Sequence, residues 1–367
     1  MKKIKIAFIK FGGMANGGTE KYLQTIAAYL PKDQFEVDFY YCDAAPYIGS
    51  DFKHLDTEQS RVKYTESHGV NLIKFKVAFK DVTTYTHDWV GTDFWEVFDE
   101  HNYDLIQTGR SGHPEYPFYL INNTPIVDSI HLAGMAEDKA NTAMTVLISE
   151  QQKQRWVMAG GNPKKTAIIP VPVVVPNYND DCYRAEFELQ NKFVFGMHQR
   201  ADDGIFSPIP LQAYKEIEDD STAFLILGGS IKYRNQAAAL GLKNAFFLDT
   251  TSDINLIHKF LNTLDVYAHG RCDGEQCSSS IIEGLSHSLP VISHTAPSMG
   301  QLEQIGNAGK VVDNFNDYSR VMKALMEDKT YYKECSSNAA HRYKTIYNIE
   351  SIISRLMEIY KNICRGE

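Results

Sequence analysis

Two loops of the sequence join glycine to the start of a predicted helix, a pattern suited to holding a diphosphate. In the first loop, Gly17 and Gly18 follow the apolar segment IKIAFIKF and precede a predicted helix over 19–30. Glycine lets the backbone approach a ligand closely, and a helix N-terminus offers free N–H groups and a partial positive charge. The loop lacks the GxGxxG order of dinucleotide-binding loops. It is therefore interpreted as a diphosphate loop or as a turn without a ligand.

The second loop adds basic side chains to the same arrangement. Arg200 lies in FVFGMHQRADDG after a predicted strand, and its guanidinium could bind two phosphate oxygens at once. Lys232 and Arg234 follow the next strand in LILGGSIKYRN. Taken alone, each basic residue is more often a solvated surface residue than a phosphate ligand. The chain has no Asp-x-Asp motif, and metal-dependent diphosphate sites need clustered carboxylates. The sequence thus favours a site without metal ligands.

A pair of glutamates is the most informative candidate site. Glu275 and Glu283 enclose seven residues in GRCDGEQCSSSIIEGLSHSLPVIS. The same spacing occurs in two other pairs: Glu58/Glu66 and Glu350/Glu358. Only the pair at 275 and 283 follows a predicted strand, spans a polar loop into a helix and precedes another strand. We therefore expect Glu275 at the carboxyl end of a strand, a helix starting near Ser278, and Glu283 one turn into that helix, facing the same cleft. The pair lacks the features of a glycosidase carboxylate pair.

The elements that must position these residues alternate between apolar segments and helical stretches. Segments that are apolar on both faces recur to about residue 171 and again from 192 to 293, as in strands covered by helices on both sides. The alternation predicts an α/β fold with two Rossmann-like domains facing across a cleft. We predict the first domain over 1–172, a proline-containing linker over 173–190, the second domain over 191–345 and a helix over 346–367. Ligands of such sheets bind at the carboxyl ends of strands.

Composition fits this organisation and narrows the class of protein. At about 150 residues per domain, 367 residues correspond to two domains. The formal net charge of −9 gives no general attraction to nucleic acid. The six cysteines show no CxxC spacing, which favours reduced thiols. Lys5 and Lys10 interrupt the N-terminal apolar run, so it is not interpreted as a signal peptide. A cytoplasmic location is the expectation.

The segment from Glu275 to Ile292 resembles retaining glycosyltransferases of the two-Rossmann (GT-B) type, specifically glycosyltransferase family 4. That family has Glu-x7-Glu, then small residues and Pro-Val-Ile, here Glu275, Glu283 and Pro290-Val291-Ile292. GGTEKYL, VLISE and NAGKVV extend the resemblance to nearly the whole chain. It implies an acceptor side on the first domain, a donor side on the second, and a final helix packing back on the first. Peripheral membrane contact is common in the family, and the oligomeric state stays open.

The resemblance also implies roles for single residues. Glu275 would contact the donor sugar as a catalytic residue and Glu283 would contact the ribose hydroxyls, both as bidentate hydrogen-bond acceptors, with His131 near the transferred sugar. The other implied donor-binding residues are Gly17, Gly18, Arg200, Lys232, Gln276, Cys277, Ser278 and Ser279. The implied donor is a UDP- or GDP-sugar, with no further cofactor. The implied acceptor is a hydroxyl of a glycan, a lipid-linked molecule or a small molecule.

One departure from the family pattern keeps other functions open. Asp203 precedes Gly204 where the family usually has Lys, and that Lys belongs to its phosphate loop. This favours one alternative, a catalytically silent subunit that binds a nucleotide-sugar. A sugar-nucleotide epimerase on the same two-domain plan is another.

Aromatic residues of the first half suggest where an acceptor binds. They lie in two loop-rich stretches, 80–95 and 110–119. Because aromatic rings can stack on sugar faces, Trp89, His113 and Tyr116 are candidate acceptor contacts. The alternative is that these rings belong to the core.

Overall fold

The computed structural model describes residues 2–42, 57–77, 87–110, 115–132, 139–175 and 180–366. They form two compact units. Unit 1 comprises residues 1–172 and 349–367, and unit 2 comprises residues 173–348.

Unit 1 is built on a parallel sheet of seven strands in the order β3-β2-β1-β4-β5-β6-β7. The strands and helices are β1 (Ile4–Ile9), α1 (Gly18–Tyr29), β2 (Phe35–Cys42), α2 (Gln59–Ser67), β3 (Asn71–Phe75), α3 (Phe94–Val97), β4 (Leu105–Arg110), β5 (Ile126–Ile130), β6 (Thr142–Leu147), α4 (Glu150–Met158) and β7 (Thr166–Ile168). The central strands are buried along most of their length, because helices must cover both faces of a parallel sheet.

Unit 2 repeats this design with a parallel sheet of six strands in the order β10-β9-β8-β11-β13-β15. Its elements are β8 (Phe193–Gln199), α5 (Ile209–Lys215), β9 (Thr222–Gly228), α6 (Ile231–Ala239), β10 (Ala245–Leu248), α7 (Ile254–Leu261), β11 (Val266–Ala268), β12 (Gly274–Glu275), α8 (Ser279–Ser286), β13 (Val291–His294), β14 (Ser298–Met299), α9 (Gly300–Ile305), β15 (Gly309–Val312), α10 (Phe315–Glu327) and α11 (Lys329–Arg342). β12 pairs with β14 outside the main sheet. The predicted class, α/β with two Rossmann-like parallel sheets, is confirmed.

The segment predicted as a linker belongs to unit 2. Tyr183 and Leu189 are buried in the core of that unit, and the Tyr183 N–H donates to Thr263 Oγ1 at 2.8 Å. The described residues 180–190 therefore pack in unit 2 without forming a helix or a strand, while residues 176–179, which include Pro176, lie outside the described part. Turn-forming composition predicts the absence of strands, but it does not predict whether a segment packs.

The C-terminal region is interrupted where the chain returns to unit 1. After α11, a π-helical turn over Tyr343–Tyr347 leads to Asn348, which is extended and bridges to Val173. Helix α12 (Ile349–Arg365) then belongs to unit 1. Within that unit, its buried Tyr360 hydroxyl donates to Gln107 Oε1 at 2.7 Å. The helix therefore begins at Ile349, whereas the sequence boundary was placed at 346.

Candidate functional site

The loop between β11 and α8 presents Glu275 on a small strand pair. Gly274 precedes it with φ of +71°, and a Cβ at Gly274 would lie 1.9 Å from the carbonyl oxygen of Ser298. Only glycine fits this backbone. The amide of Gln304 accepts from Ser278 N–H at 2.7 Å and donates to the Ser278 carbonyl at 3.0 Å. These contacts fix the peptides that lead from Glu275 into α8.

The Glu275 carboxylate is held by groups of its own loop. Its Oε1 lies 3.0 Å from Arg271 Nη1 and accepts from Ser278 Oγ at 3.3 Å. Burial raises the pKa of Glu275, and the charge of Arg271 opposes that rise. Sequence reasoning missed Arg271, although its position four residues before Glu275 was a usable signal. Cys277 and Gln276 lie on the same loop, where Cys277 Sγ is 3.5 Å from Gln304 Nε2 and Gln276 Nε2 donates to Ser298 Oγ at 3.1 Å.

Glu283 lies on α8 and contacts a histidine at the end of β8. Its Oε2 is 2.6 Å from His198 Nε2, and both side chains are mostly buried. Both Glu275 and Glu283 act electrostatically on the buried Tyr267 hydroxyl, and burial together with these charges raises the pKa of Tyr267. The two predicted glutamates are therefore brought to the same edge of the sheet. Sequence reasoning missed His198.

The predicted phosphate loop lines an open surface depression of about 680 Å³ in unit 2. Its lining residues are Arg200, Ala201, Asp202, Asp203, Ser230 and Ile231. Arg200 is 68% exposed and pairs with Asp202 at 3.0 Å. Lys232 lies beside Asp203, with its Nζ 3.3 Å from the Asp203 carbonyl oxygen. The two predicted phosphate-binding cations thus lie on the same loop system, each in contact with an aspartate.

The carboxylate of Asp203 lies at the N-terminus of α6. Its Oδ1 accepts from the Lys232 N–H at 3.3 Å. The nearby Ser230 hydroxyl and this N–H lower the pKa of Asp203, and so does the charge of Lys232. A helix N-terminus favours an anion. The chain's own carboxylate therefore lies where a phosphate group would also be favoured.

In unit 1, the first glycine loop is arranged around a buried lysine. Lys10 follows β1 with its side chain fully buried and contacts both Glu115 and Glu20, the latter at 3.2 Å. Burial alone would lower the pKa of Lys10, but the charges of Glu115 and Glu20 hold it above the ordinary value. A Cβ at Gly17 would lie 1.8 Å from Glu20 Oε2. Gly17 therefore leaves space for the carboxylate that reaches Lys10, whereas the space next to Gly18 is open.

His131 is a neutral, buried histidine directly after β5. Its ring packs edge-on against Tyr22, with centroids 4.5 Å apart. Burial, assisted by the charge of Lys10, lowers the pKa of His131 to about 3. Its Nε2 has no hydrogen-bond partner among the described residues. At neutral pH the imidazole is therefore uncharged, and it can act through a hydrogen bond but not as a cation.

The buried state of His131 predicts a pH dependence of stability. Its folded pKa of about 3 lies below the ordinary histidine value of 6.5, so the folded state resists protonation. The stability that it contributes is present above pH 6.5 and is lost as the pH falls toward 3. The expected loss is on the order of 1 kcal/mol per pH unit below 6.5. Urea unfolding at pH 7 and pH 5 measures it.

The three tryptophans make this measurement specific for unit 1. Trp89, Trp95 and Trp156 all belong to that unit, so their fluorescence follows its unfolding. The variant His131→Gln should lose less stability between pH 7 and pH 5 than the unmodified chain. His101→Gln, at a 70% exposed side chain, is the control. Equal losses in all three proteins would contradict the assignment of the pH dependence to His131.

Two of the candidate acceptor residues, Trp89 and Tyr116, are not presented at the surface of unit 1. Trp89 and Tyr116 are each only 3% exposed and belong to one aromatic core cluster. Trp89 stacks on Phe75 with centroids 5.0 Å apart and meets Phe94 edge-on. Their ring faces are covered by protein, which departs from the expectation that they stack on a sugar. His113 lies outside the described residues.

Two further observations concern metals and membranes. Within the described ranges, no group of three or more His, Cys, Asp or Glu side chains is arranged to hold a metal ion. No helix in the described part of the chain is long and apolar enough to span a bilayer.

Comparison with solved structures identifies relatives of the fold. Anabaena HepE in complex with UDP has a TM-score of 0.72 at 18% identity, over 98% of this chain and 100% of that one. A Rickettsia africae glycosyltransferase gives 0.73 at 17% identity, over 100% of both chains. Sucrose-phosphate synthase from Thermosynechococcus elongatus gives 0.70 at 15% identity, again over 100% of both. No curated protein sequence matches the chain.

The part of the chain that matches a protein-family model lies within unit 2. Residues 209–342 match the family model described as Glycosyl transferases group 1. The matched range includes Lys232, the loop from Arg271 to Glu275 and the helix that carries Glu283. Residues 209–342 therefore resemble the Glycosyl transferases group 1 domain, within a chain that has the GT-B fold of two Rossmann-like sheets.

Proposed function

We propose that the chain is a retaining glycosyltransferase, similar to family 4, that moves a sugar from a nucleotide-diphosphate donor to an acceptor hydroxyl without a metal ion. The observation that carries the proposal is the placement of Glu275 and Glu283. Both lie within the matched domain, Glu275 on the loop that follows β11 and Glu283 on α8 in contact with His198 at the end of the neighbouring strand β8. We propose a cytoplasmic location.

Each donor-site residue has a proposed task. Glu275 binds the donor sugar and Glu283 accepts from the ribose hydroxyls. Arg200, Lys232 and the N-terminus of α6 stabilise the diphosphate. The other proposed donor contacts on this loop are Gln276, Cys277, Ser278 and Ser279. Since the Ser278 N–H already donates to Gln304, the main-chain donors among them are its neighbours. The roles predicted for Gly17, Gly18 and His131 concern unit 1 and stay predictions.

The chemical demand on this site is electrostatic. As the anomeric bond breaks, negative charge builds on the departing diphosphate and positive charge on the sugar ring. Preorganised donors and cations stabilise the first charge, which is the task of Arg200 and the α6 N-terminus. The carboxylate of Glu275 lies where it can stabilise the second. In a retaining reaction, the acceptor hydroxyl attacks the anomeric carbon from the same face of the sugar ring from which the diphosphate departs.

Among donors, UDP-glucose is the natural first choice for experiments. HepE is described in complex with UDP and with UDP-glucose, and the latter complex has a TM-score of 0.68 at 16% identity to this chain. GDP-sugars are the other proposed donor class. The proposed acceptor is a hydroxyl of a glycan, a lipid-linked molecule or a small molecule.

Ligand-dependent thermal unfolding tests the donor class. A ligand at 100 times its Kd adds about 2.7 kcal/mol of stability, which is several degrees for units of this size. We expect a shift with UDP or GDP, the same shift in the presence of EDTA, and none with NAD. A shift that EDTA abolishes would contradict metal independence. The absence of a shift with UDP, GDP and ADP would contradict the nucleotide-sugar site itself.

One specific observation favours a second candidate, a catalytically silent nucleotide-sugar-binding subunit. Asp202 pairs with Arg200, and the Asp203 carbonyl oxygen contacts Lys232. Each cation that the proposal assigns to the diphosphate therefore already contacts an aspartate. Product analysis separates the candidates. The transferase forms a glycosylated acceptor with the anomeric configuration of the donor, the silent subunit binds the donor without turnover, and an epimerase converts it without an acceptor.

Removal of the Asp203 charge tests its position at the phosphate site. Asp203→Asn should tighten UDP binding by about twofold to fivefold, because the substitution removes a like charge near the diphosphate at an exposed site. Isothermal titration calorimetry measures the Kd. Asp220→Asn makes the same charge change at an exposed position before β9 and is the control. Weaker UDP binding by Asp203→Asn would show that the carboxylate supports the site instead.

A further inference from the structure

The two glutamates of the candidate site share an arrangement that the sequence does not reveal. In each carboxylate, one oxygen is held by a basic side chain that lies outside α8. Arg271 Nη1 holds Glu275 Oε1 at 3.0 Å, and His198 Nε2 holds Glu283 Oε2 at 2.6 Å. Within the part of the chain that the structure describes, the other oxygen of each glutamate has no hydrogen-bond partner.

From this arrangement we propose that Arg271 and His198 are positioning residues, each of which fixes one oxygen of a glutamate so that only the other oxygen meets the donor. The inference rests on the proposed function and deepens it. Glu275 then accepts from the sugar through Oε2 alone, and Glu283 accepts from the ribose through Oε1 alone. Neither carboxylate chelates a pair of hydroxyls with both oxygens.

Arg271 is itself fixed before any ligand binds. Its Nε and Nη2 donate to the two carboxylate oxygens of Asp273 at 2.9 and 2.6 Å, and this bidentate pair fixes the orientation of the guanidinium plane. The remaining Nη1 points to Glu275. The Arg271 side chain is only 18% exposed, which limits the competition from water. A carboxylate held in this way loses little rotational freedom when the donor binds.

The main chain at Arg271 does not depend on this side chain. The residue forms an antiparallel bridge with Phe206, and the next N–H, that of Cys272, donates to the Ile205 carbonyl at 3.3 Å. A substitution that removes the guanidinium should therefore leave the loop in place and free the Glu275 carboxylate to rotate.

His198 is held by its surroundings in the same manner. It lies at the end of β8, where its ring meets Phe260 and Tyr267 edge-on, with centroids 5.8 and 5.5 Å apart. The Tyr267 hydroxyl donates to the His198 carbonyl at 3.1 Å. The imidazole orientation is thus set by packing, and its Nε2 fixes the rotamer of Glu283.

The two positioning residues should have separable effects on two probes, UDP and UDP-glucose. Arg271→Met should weaken UDP-glucose binding about tenfold while leaving UDP binding within about threefold, because Glu275 contacts only the sugar. His198→Gln should weaken both probes by a similar factor, because Glu283 contacts the ribose that they share. Arg271→Lys keeps a charge near Glu275 and should recover part of the preference for UDP-glucose.

The controls are the same substitutions at exposed sites of unit 2. Arg320→Met removes a guanidinium that is 77% exposed, and His341→Gln changes an exposed imidazole. Isothermal titration calorimetry gives both Kd values, and melting temperatures confirm that each variant is folded. A merely structural role of Arg271 would lower the melting temperature or weaken both probes together, without changing their ratio.

The outcomes separate the inference from the proposed function. If the unmodified chain binds neither probe, the proposed function fails. If it binds both and Arg271→Met keeps the ratio seen in Arg320→Met, only the inference fails. A His198→Gln variant that binds UDP as tightly as His341→Gln would equally overturn it. Should Arg271→Met fail to fold, His198→Gln decides by itself: UDP binding equal to that of His341→Gln contradicts the proposal.

Discussion

Glu275→Gln should reduce the rate of sugar transfer by about hundredfold to thousandfold. The substitution keeps the shape of the side chain but removes the negative charge that we propose lies beside the reacting sugar. Preorganised electrostatic groups of this kind supply effects of that size. Because burial already raises the pKa of this carboxyl group, acid should also reduce the rate in the unmodified enzyme as Glu275 is protonated. Initial rates with UDP-glucose and an acceptor found by screening provide the measurement.

The chain offers a matched control for this experiment. Glu350→Gln changes the first member of another Glu-x7-Glu pair, at an exposed position on α12. It should leave the transfer rate unchanged. If Glu275→Gln and Glu350→Gln have equal rates while both bind UDP, the assignment of Glu275 to the reacting sugar is wrong, whatever the family resemblance implies.

Lys10→Met should destabilise unit 1 by about 3–5 kcal/mol. Lys10 is fully buried and contacts two mostly buried carboxylates, Glu20 and Glu115. Removing one member of a buried ionic group leaves the opposite charges in a poorly solvating environment, and this costs several kcal/mol. Urea unfolding followed by tryptophan fluorescence reports the effect, since all three tryptophans lie in unit 1.

Two further variants test whether charge is the cause. Lys2→Met removes a lysine that is 88% exposed and 3.8 Å from Asp104, and its effect should be small because exposed pairs contribute at most about 1 kcal/mol. The triple variant Lys10→Met, Glu20→Gln, Glu115→Gln removes the carboxylate charges as well and should regain part of the lost stability. If the triple variant is no more stable than Lys10→Met, packing of the lysine side chain is the cause.

The buried network around Lys10 shows a limit of sequence reasoning. In the sequence, Lys10 only interrupts an apolar run. A lysine after a strand is usually solvated, and nothing local indicates that residues 20 and 115 reach it. The contacts span separations of 10 and 105 residues along the chain. They exist because β1 and the loop after β4 meet at the same edge of a parallel sheet.

The burial of the predicted acceptor residues Trp89 and Tyr116 shows the same limit of sequence reasoning. Aromatic residues in a loop-rich stretch have the same composition whether they cover a core or bind a sugar. Trp89 and Tyr116 are buried among other rings, because a large apolar ring is stabilised most by removal from water. Burial depends on tertiary packing, so a local pattern of aromatic residues does not decide it.

The sequence by itself determined the features that depend on local periodicity and steric need. Apolar segments alternating with helical stretches indicated two parallel α/β sheets, and the context of Glu275 and Glu283 separated that pair from two others with equal spacing. The structure alone decided what each charged group contacts. Arg271 holds one oxygen of Glu275, His198 holds one oxygen of Glu283, and Asp203 lies at the α6 N-terminus. Backbone elements follow from short-range patterns, whereas side-chain pairing depends on which strand ends and loops the tertiary fold brings together.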